Sequence, residues 1–208
     1  MILRINLFRL FLIGITYIVA MILPAQAEPR TLTEYEIKAA FIYHFAKFVE
    51  WPEDVMGNGR PFVIGIVGDD PFGDLIDEAV SRKNIRDERM TVKRFSKIEE
   101  AVDSQIVFVS RSEEENLTEI LKHLSQTPVL TVSDIERFAG KGGMVQLVMD
   151  QNRVHFAVNV AAFERASLKP SSQLLKLARI VPDGGADKRL PSEDGYSGIS
   201  IYPLRVMR

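Results

Sequence analysis

The 208-residue sequence contains no cysteine. Disulfide staples, thiolate metal ligands and thiol chemistry are therefore excluded, and stability has to come from the core alone. Only three histidines are present, His44, His123 and His155, and they fall on a helix, a helix end and a strand of the predicted order. A metal centre needs three or four ligands brought together, and no local spacing assembles them. An excess of basic charge is missing too: 26 Lys and Arg stand against 28 Asp and Glu, which provides no nucleic-acid surface. No serine sits in a nucleophile elbow, and no carboxylate pair stands out from ordinary solvated charge. Gly65 and Gly68 precede Asp69-Asp70 without the three-glycine spacing of a dinucleotide turn. Gly140-Lys141-Gly142-Gly143 lacks the strand–loop–helix frame of a phosphate loop. The residues support neither an enzyme class nor a cofactor.

An apolar run of membrane-spanning length is also absent. Residues 10–23 form 14 consecutive uncharged positions, short of the roughly 20 a spanning helix needs. The run follows Arg4 and Arg9 and leads through Pro24 to Ala25-Gln26-Ala27. A basic start, an apolar middle and a small-x-small end form a secretory signal peptide. Residues 1–27 are therefore expected to be removed on export, with no membrane insertion of the mature chain. Without its two arginines, 24 basic residues face 28 acids over the remaining 181 positions, a net charge of −4. That length suits one domain with a sizeable core.

The longest helical signal is residues 33–52, TEYEIKAAFIYHFAKFVEWP. Thr33 and Glu36 have capping-box spacing, and Glu34 and Glu36 suit the positive end of the helix dipole. Ile37, Phe41, Phe45 and Phe48 share one face, widened by Ala39, Ile42, Tyr43, Ala46 and Val49. Only Lys38, His44, Lys47 and Glu50 interrupt it, and Pro52 forces Trp51 out of helical geometry. Burying a residue such as Phe contributes roughly 1.5–3 kcal/mol, so this helix has to be covered by the chain's own sheet or by a partner.

Downstream, buried strands are expected at 61–68, 90–95, 105–110 and 128–133, with helices at 71–81, 96–102 (Ser96 as N-cap), 112–124 (Ser112 as N-cap) and 134–139. Residues 82–89 read as a charged loop. Two runs, 143–150 and 153–159, are separated only by Gln151 and Asn152, a gap that joins antiparallel strands and cannot hold a parallel crossover. Short helices follow at 160–167 and from Ser171 or Ser172 through Arg179. Strand–helix alternation ending in a hairpin predicts an α/β fold, a three-layer sandwich with a mostly parallel sheet and a C-terminal antiparallel hairpin. Residues 28–181 form the domain. Residues 182–208 are rich in Gly, Asp, Pro and Ser and read as a disordered or partner-docking tail with room for at most a bulged edge strand near 199–206.

Ligands of open α/β sheets sit beyond the carboxyl ends of the strands. Here those ends carry Asp69, Asp70, Ser110, Arg111, Ser133 and Asp134. Helices starting at Pro71, Ser112 and Asp134 would turn N–H groups toward the same rim, suited to a small anion or zwitterion; the alternative is that Ser112 and Asp134 are helix caps. An acidic pair after the first strand also matches a phosphoacceptor receiver, but Ser110-Arg111 stands where the acceptor aspartate belongs, so that chemistry is missing.

The motifs KAAFIYHFAKFVEWP (38–52), VIGIVGDDPFG (63–73), IVFVSRSE (106–113) and the long block PVLTVSDIERFAGKGGMVQLVMDQNRVHFAVNVAAFERASLKPSSQLLKLARIV (128–181) occur in that order. Together they resemble the YfiR-like family of exported bacterial domains. The resemblance implies a periplasmic α/β regulator without catalytic residues. It implies repression of a membrane-bound diguanylate cyclase through that enzyme's periplasmic sensor region, lowering cyclic di-GMP and biofilm formation. Members with regulatory disulfides carry cysteines and this chain has none, so redox control is not carried over. Trp51, the sole tryptophan, with the loop to Arg60 is the candidate contact to a partner or a second copy; the alternative is that it caps the core under the first helix. The rival from another class is a periplasmic small-molecule binding protein serving a sensor kinase or transporter. Intact-mass measurement of the exported protein is expected to give a chain beginning at Glu28, and retention of residues 1–27 would overturn the signal-peptide reading.

Overall fold

The computed structural model describes residues 32–56, 59–81, 83–151 and 153–184. The expected signal peptide at 1–27 and the part of the expected tail beyond Gly184 lie outside the described residues. Helix α1 (Glu34–Phe48) starts as its sequence dictates: the Thr33 side chain accepts from the Glu36 N–H, and the Glu36 carboxylate accepts from the Thr33 N–H at 2.7 Å. It ends earlier than Pro52 requires. Val49–Glu50 is already extended as β1 and pairs antiparallel with β9 (Lys169–Pro170) in a separate two-stranded sheet. Pairing with a distant segment thus stops the helix before proline does.

The main sheet comprises β2 (Phe62–Val67), β3 (Asn84–Ile85), β4 (Glu88–Phe95), β5 (Ile106–Val109), β6 (Leu130–Ser133), β7 (Val145–Asp150), β8 (Arg153–Val158) and β10 (Arg179–Ile180). Their spatial order is β10-β8-β7-β6-β5-β2-β4-β3. β4, β2, β5, β6 and β7 run parallel, whereas β7 and β8 form the antiparallel hairpin that the short 151–152 gap demanded. All six residues of β2 and all four of β5 are buried, as a strand covered on both faces requires.

Period-two alternation divides these strands between two cores. Phe62, Ile64, Ile66, Ile106, Phe108 and Val132 pack with Ile42, Phe45 and Ala46 of α1, Ile76 and Val80 of α2 (Asp74–Val80), Phe163 of α4 (Val160–Arg165) and Leu174 of α5 (Ser172–Leu177). Val67, Val107 and Val109 face the other way, onto Ile98 and Ala101 of a 3-10 segment, Leu117, Ile120, Leu121 and Leu124 of α3 (Leu117–Leu124), and Ile135 and Phe138. The arrangement is the predicted sandwich, with a helical layer on each face.

Several local expectations are corrected. Helix α2 begins at Asp74 and not Pro71, because Asp70 Oδ1 accepts from the Phe72 N–H in a turn and Gly73 takes φ +54. Residues 82–89 contain a hairpin, not only a loop: Arg86 and Asp87 both have positive φ between β3 and β4, the backbone of a two-residue primed turn. Ser96 caps no helix; a four-residue 3-10 segment starts at Ile98. Ser112 lies within a 3-10 turn at Arg111–Glu113, and α3 starts only at Leu117. Residues 134–139 form turns, with Arg137 at φ +60, in place of a helix. Helix α5 is capped by Ser171, as one reading had it, but stops at Leu177 because Arg179 and Ile180 pair parallel with β8 as an edge strand.

Gly143 passes directly against the fully buried Phe138 ring, and a Cβ at this position would overlap it. Gly143→Ala is expected to destabilise the fold by about 1–3 kcal/mol through overpacking. A lower denaturant midpoint at unchanged m would show it.

Candidate functional site

The order β4-β2-β5 places a topological switch point between β2 and β5, where such sheets bind ligands. In this chain the crevice is filled. The 3-10 turn after β5 puts the Ser112 hydroxyl onto the Asp69 N–H at 2.9 Å, and Ser110 donates its N–H to the Val67 carbonyl at 3.0 Å. Gly68, at φ +88, has no side chain because Ser112 and Glu113 occupy the space one would need. Ser112 is thus a plug between two strands, a role that no helix-cap signal in its sequence could reveal.

The remaining rim residues are held just as firmly. Asp70 Oδ2 accepts from Arg94 Nε at 2.8 Å, and Arg94 Nη2 donates to the Gly73 carbonyl at 2.8 Å and to Asp77 Oδ2 at 2.6 Å. The Asp77 hydrogen bond, with that of Asp70, holds the Arg94 guanidinium above its already high range against the cost of burial. Ser133 donates to the Val109 carbonyl at 2.7 Å and accepts from the Ile135 N–H at 3.0 Å.

Asp134 is the centre of a buried ion cluster. Its side chain is 2 % exposed, and Oδ2 meets Nζ of Lys38, which is fully buried, at 2.5 Å. Lys38 also pairs with Glu34 one turn earlier and lies 4.5 Å from the centroid of the Tyr35 ring. The Tyr35 hydroxyl donates to Asp134 Oδ2 at 3.2 Å, and Arg111 Nε reaches Oδ1 at 3.3 Å from a largely exposed side chain. Burial, followed by the Asp134 charge, pushes the Tyr35 hydroxyl up to about 12. The sequence reading placed Lys38 among the polar interruptions of α1 and did not see this role. The available signal was a single lysine amid Ala39, Ile42, Phe45 and Ala46, with Glu34 four residues before it.

The candidate residues do not form one site. Asp69, Asp70, Ser110, Arg111, Ser133 and Asp134 share the carboxyl end of the sheet, whereas Trp51 lies at the amino end. Its ring is T-shaped against Phe62, the first residue of β2, at 5.3 Å, and its indole N–H donates to the Gln105 carbonyl at 3.3 Å. At 6 % exposure Trp51 caps the core, and its ring presents little surface to a partner. A cleft of about 300 Å³ remains at the ends of β2 and β4, lined by Gly68, Asp69, Arg94, Phe95, Ser96 and Glu113. Among the described residues no group of three or more His, Asp or Glu could hold a metal ion, and no helix is long and apolar enough to cross a membrane.

A second polar knot joins α4 to the end of the domain. Asn159 caps α4 by accepting from the Ala162 N–H at 3.1 Å and donates to Asp183 Oδ1 at 2.8 Å, while Arg165 Nη1 donates to Asp183 Oδ2 at 2.5 Å. The Asn159 hydrogen bond, then those of Arg165, hold the Asp183 carboxyl below its usual range.

Removing one member of a buried ion pair deprives the other of its closest counter-charge, leaving Lys38 only Glu34 or Asp134 only Arg111 and the Tyr35 hydroxyl. Lys38→Met or Asp134→Asn alone is expected to cost about 3–5 kcal/mol. The double change Lys38→Met/Asp134→Asn should cost clearly less than the sum of the two. Denaturant unfolding of the three variants checks this, and strict additivity would mean that the two side chains do not act as a pair.

Comparison with known proteins places this geometry in a family. No curated protein matches the chain. Among solved structures, a conserved domain protein from Vibrio cholerae O1 biovar El Tor strain N16961 is 11% identical, with 72% of this chain and 60% of that chain covered at a TM-score of 0.49. The chain therefore spans less than two thirds of that structure's length. A family model described as YfiR/HmsC-like matches residues 35–179, from the tyrosine beside Asp134 to the edge strand β10. Covering most of the chain, that match shows that the protein belongs to the YfiR/HmsC-like family.

Proposed function

We propose that this chain is an exported periplasmic protein that represses a membrane-bound diguanylate cyclase by engaging the enzyme's periplasmic sensor domain, and so lowers cyclic di-GMP signalling and biofilm formation. The observation that carries the reading is the YfiR/HmsC-like match over residues 35–179. The rim chemistry agrees with action by binding: the carboxylates of Asp70 and Asp134 are engaged by Arg94, Lys38 and Arg111 within the same chain.

The mechanism is linkage. A protein that binds one state of a sensor better than another shifts the equilibrium by its differential affinity. Moving the sensor from 1:99 to 99:1 takes about 5.5 kcal/mol of difference, within the range of a single protein–protein interface.

A second reading, a small-molecule binding protein serving a sensor kinase or transporter, draws on the cleft of about 300 Å³ beside Gly68 and Phe95. That volume is at the lower end for ligand pockets. The two readings separate in one comparison. Deletion of the chain is expected to raise cellular cyclic di-GMP, and restoring it in the periplasm to lower the level again; an unchanged level would remove the repressor reading. A ligand of the cleft present at about 100 times its Kd would instead add about 2.7 kcal/mol of stability in thermal unfolding.

A further inference from the structure

The outer face of α1 carries a cluster at the edge of the main core, against which Tyr43 and Phe48 pack while staying partly exposed. Tyr43, His44 and Phe48 are half-buried there. The His44 ring stacks on Phe48 at 6.3 Å and 16°, and its other neighbour is Tyr43 at 5.5 Å. Two exposed lysines converge on the Tyr43 ring: Lys47 from the last turn of α1, with Nζ 5.7 Å from the centroid, and Lys83 from the segment before β3, at 5.6 Å. Both are within the roughly 6 Å over which a ring face attracts a cation.

Neither ammonium has a carboxylate within 4.0 Å among the described residues, and the Tyr43 ring is the partner they share. The chain as a whole has more acids than bases, so this local excess of positive charge runs against its net sign. His44 registers the same field: burial, then Lys47, then Lys83 hold its imidazole below the usual range. A half-buried aromatic stack beside two lysines that have no carboxylate partner among the described residues can pack an apolar side chain and neutralise carboxylates at once.

We propose that Tyr43, His44, Lys47 and Phe48 of α1, together with Lys83, form a docking face for an acidic segment of a partner protein. The partner's carboxylates meet the two ammonium groups, and a neighbouring apolar side chain lies on the His44–Phe48 stack. This deepens the regulator reading, on which it rests, by giving that reading a face and a charge sign.

The test uses the exported full-length chain and, as probes, the purified periplasmic domain of a membrane diguanylate cyclase of the same organism and vesicles of phosphatidylglycerol with phosphatidylcholine. Lys47→Glu/Lys83→Glu reverses both charges. Lys97→Glu/Lys122→Glu makes the same change in net charge on the opposite face of the sheet, where Lys97 precedes the 3-10 segment and Lys122 lies on α3. The wild type and the Lys97/Lys122 control are expected to bind the domain alike. The Lys47/Lys83 variant should bind at least about tenfold more weakly and lose most of the salt dependence. Lys47→Gln/Lys83→Gln should fall between, which keeps the test open if charge reversal impairs folding by circular dichroism. Equal binding by a folded Lys47/Lys83 variant would overturn the docking face while leaving the regulator reading in place. Lysine-dependent binding to vesicles without binding to the domain would make the face a membrane surface and overturn the acidic-protein partner. Wild-type binding to neither probe would overturn the regulator reading and the docking face with it.

Discussion

One buried ion pair, Lys38 to Asp134, fixes how the first helix sits on the sheet. Carrying an ammonium and a carboxylate out of water costs several kcal/mol per ion even after relaxation. Close pairing and the extra partners Glu34, Tyr35 and Arg111 offset that cost. The capping box at Thr33 sets where α1 begins, and Lys38, one turn further, has a single acceptor below it. A slide of one helical turn, about 5.4 Å, would part the two charges and leave each only its secondary partner, Glu34 or Arg111. The same register brings Phe45 to 5.3 Å and Phe41 to 5.7 Å from Phe156 of β8. Hydrophobic burial is non-directional and would tolerate several registers of an apolar helix on an apolar sheet; the ion pair selects one.

That constraint also accounts for how the fold has diverged from the usual use of its topology. A doubly wound sheet offers a crevice at its switch point. Here Asp134 is spent on α1, Asp70 on Arg94, and Ser112 joins the strand ends across the gap. Carboxyl-end residues that elsewhere hold ligands serve to lock elements together. What remains free is surface: the small cleft beside Phe95 and the cationic aromatic face on α1. A folded domain without disulfides depends on such a rim for its rigidity.

Much of the architecture was legible because its signals are local. Capping-box spacing, the four-three recurrence of apolar residues in α1, continuous β-branched runs and a two-residue hairpin gap each follow from the chemistry of neighbouring residues. The misreadings have two causes, local turns at 70–73 and 86–87 and competition from distant partners. Ser112 and Asp134 have the residue types of helix caps, yet one bonds the backbone at Asp69 and the other the side chain of Lys38, 96 positions away. Trp51 is open to two readings in sequence, a partner contact or a cap on the core, and the Phe62 ring and Gln105 carbonyl draw it into the core.

The sequence by itself determined the order of the main strands, the sandwich class and the chain's place among YfiR/HmsC-like proteins, because hydrophobic period, turn chemistry and ordered motifs are properties of contiguous residues. Only the tertiary structure decided which polar residues are internal fasteners and which are available to a partner. Lys38 and Lys47 are nine residues apart on one helix and chemically identical, yet one is sealed against Asp134 and the other stands in solvent over Tyr43. That difference arises from what the sheet places beneath each of them, and a linear pattern does not contain it.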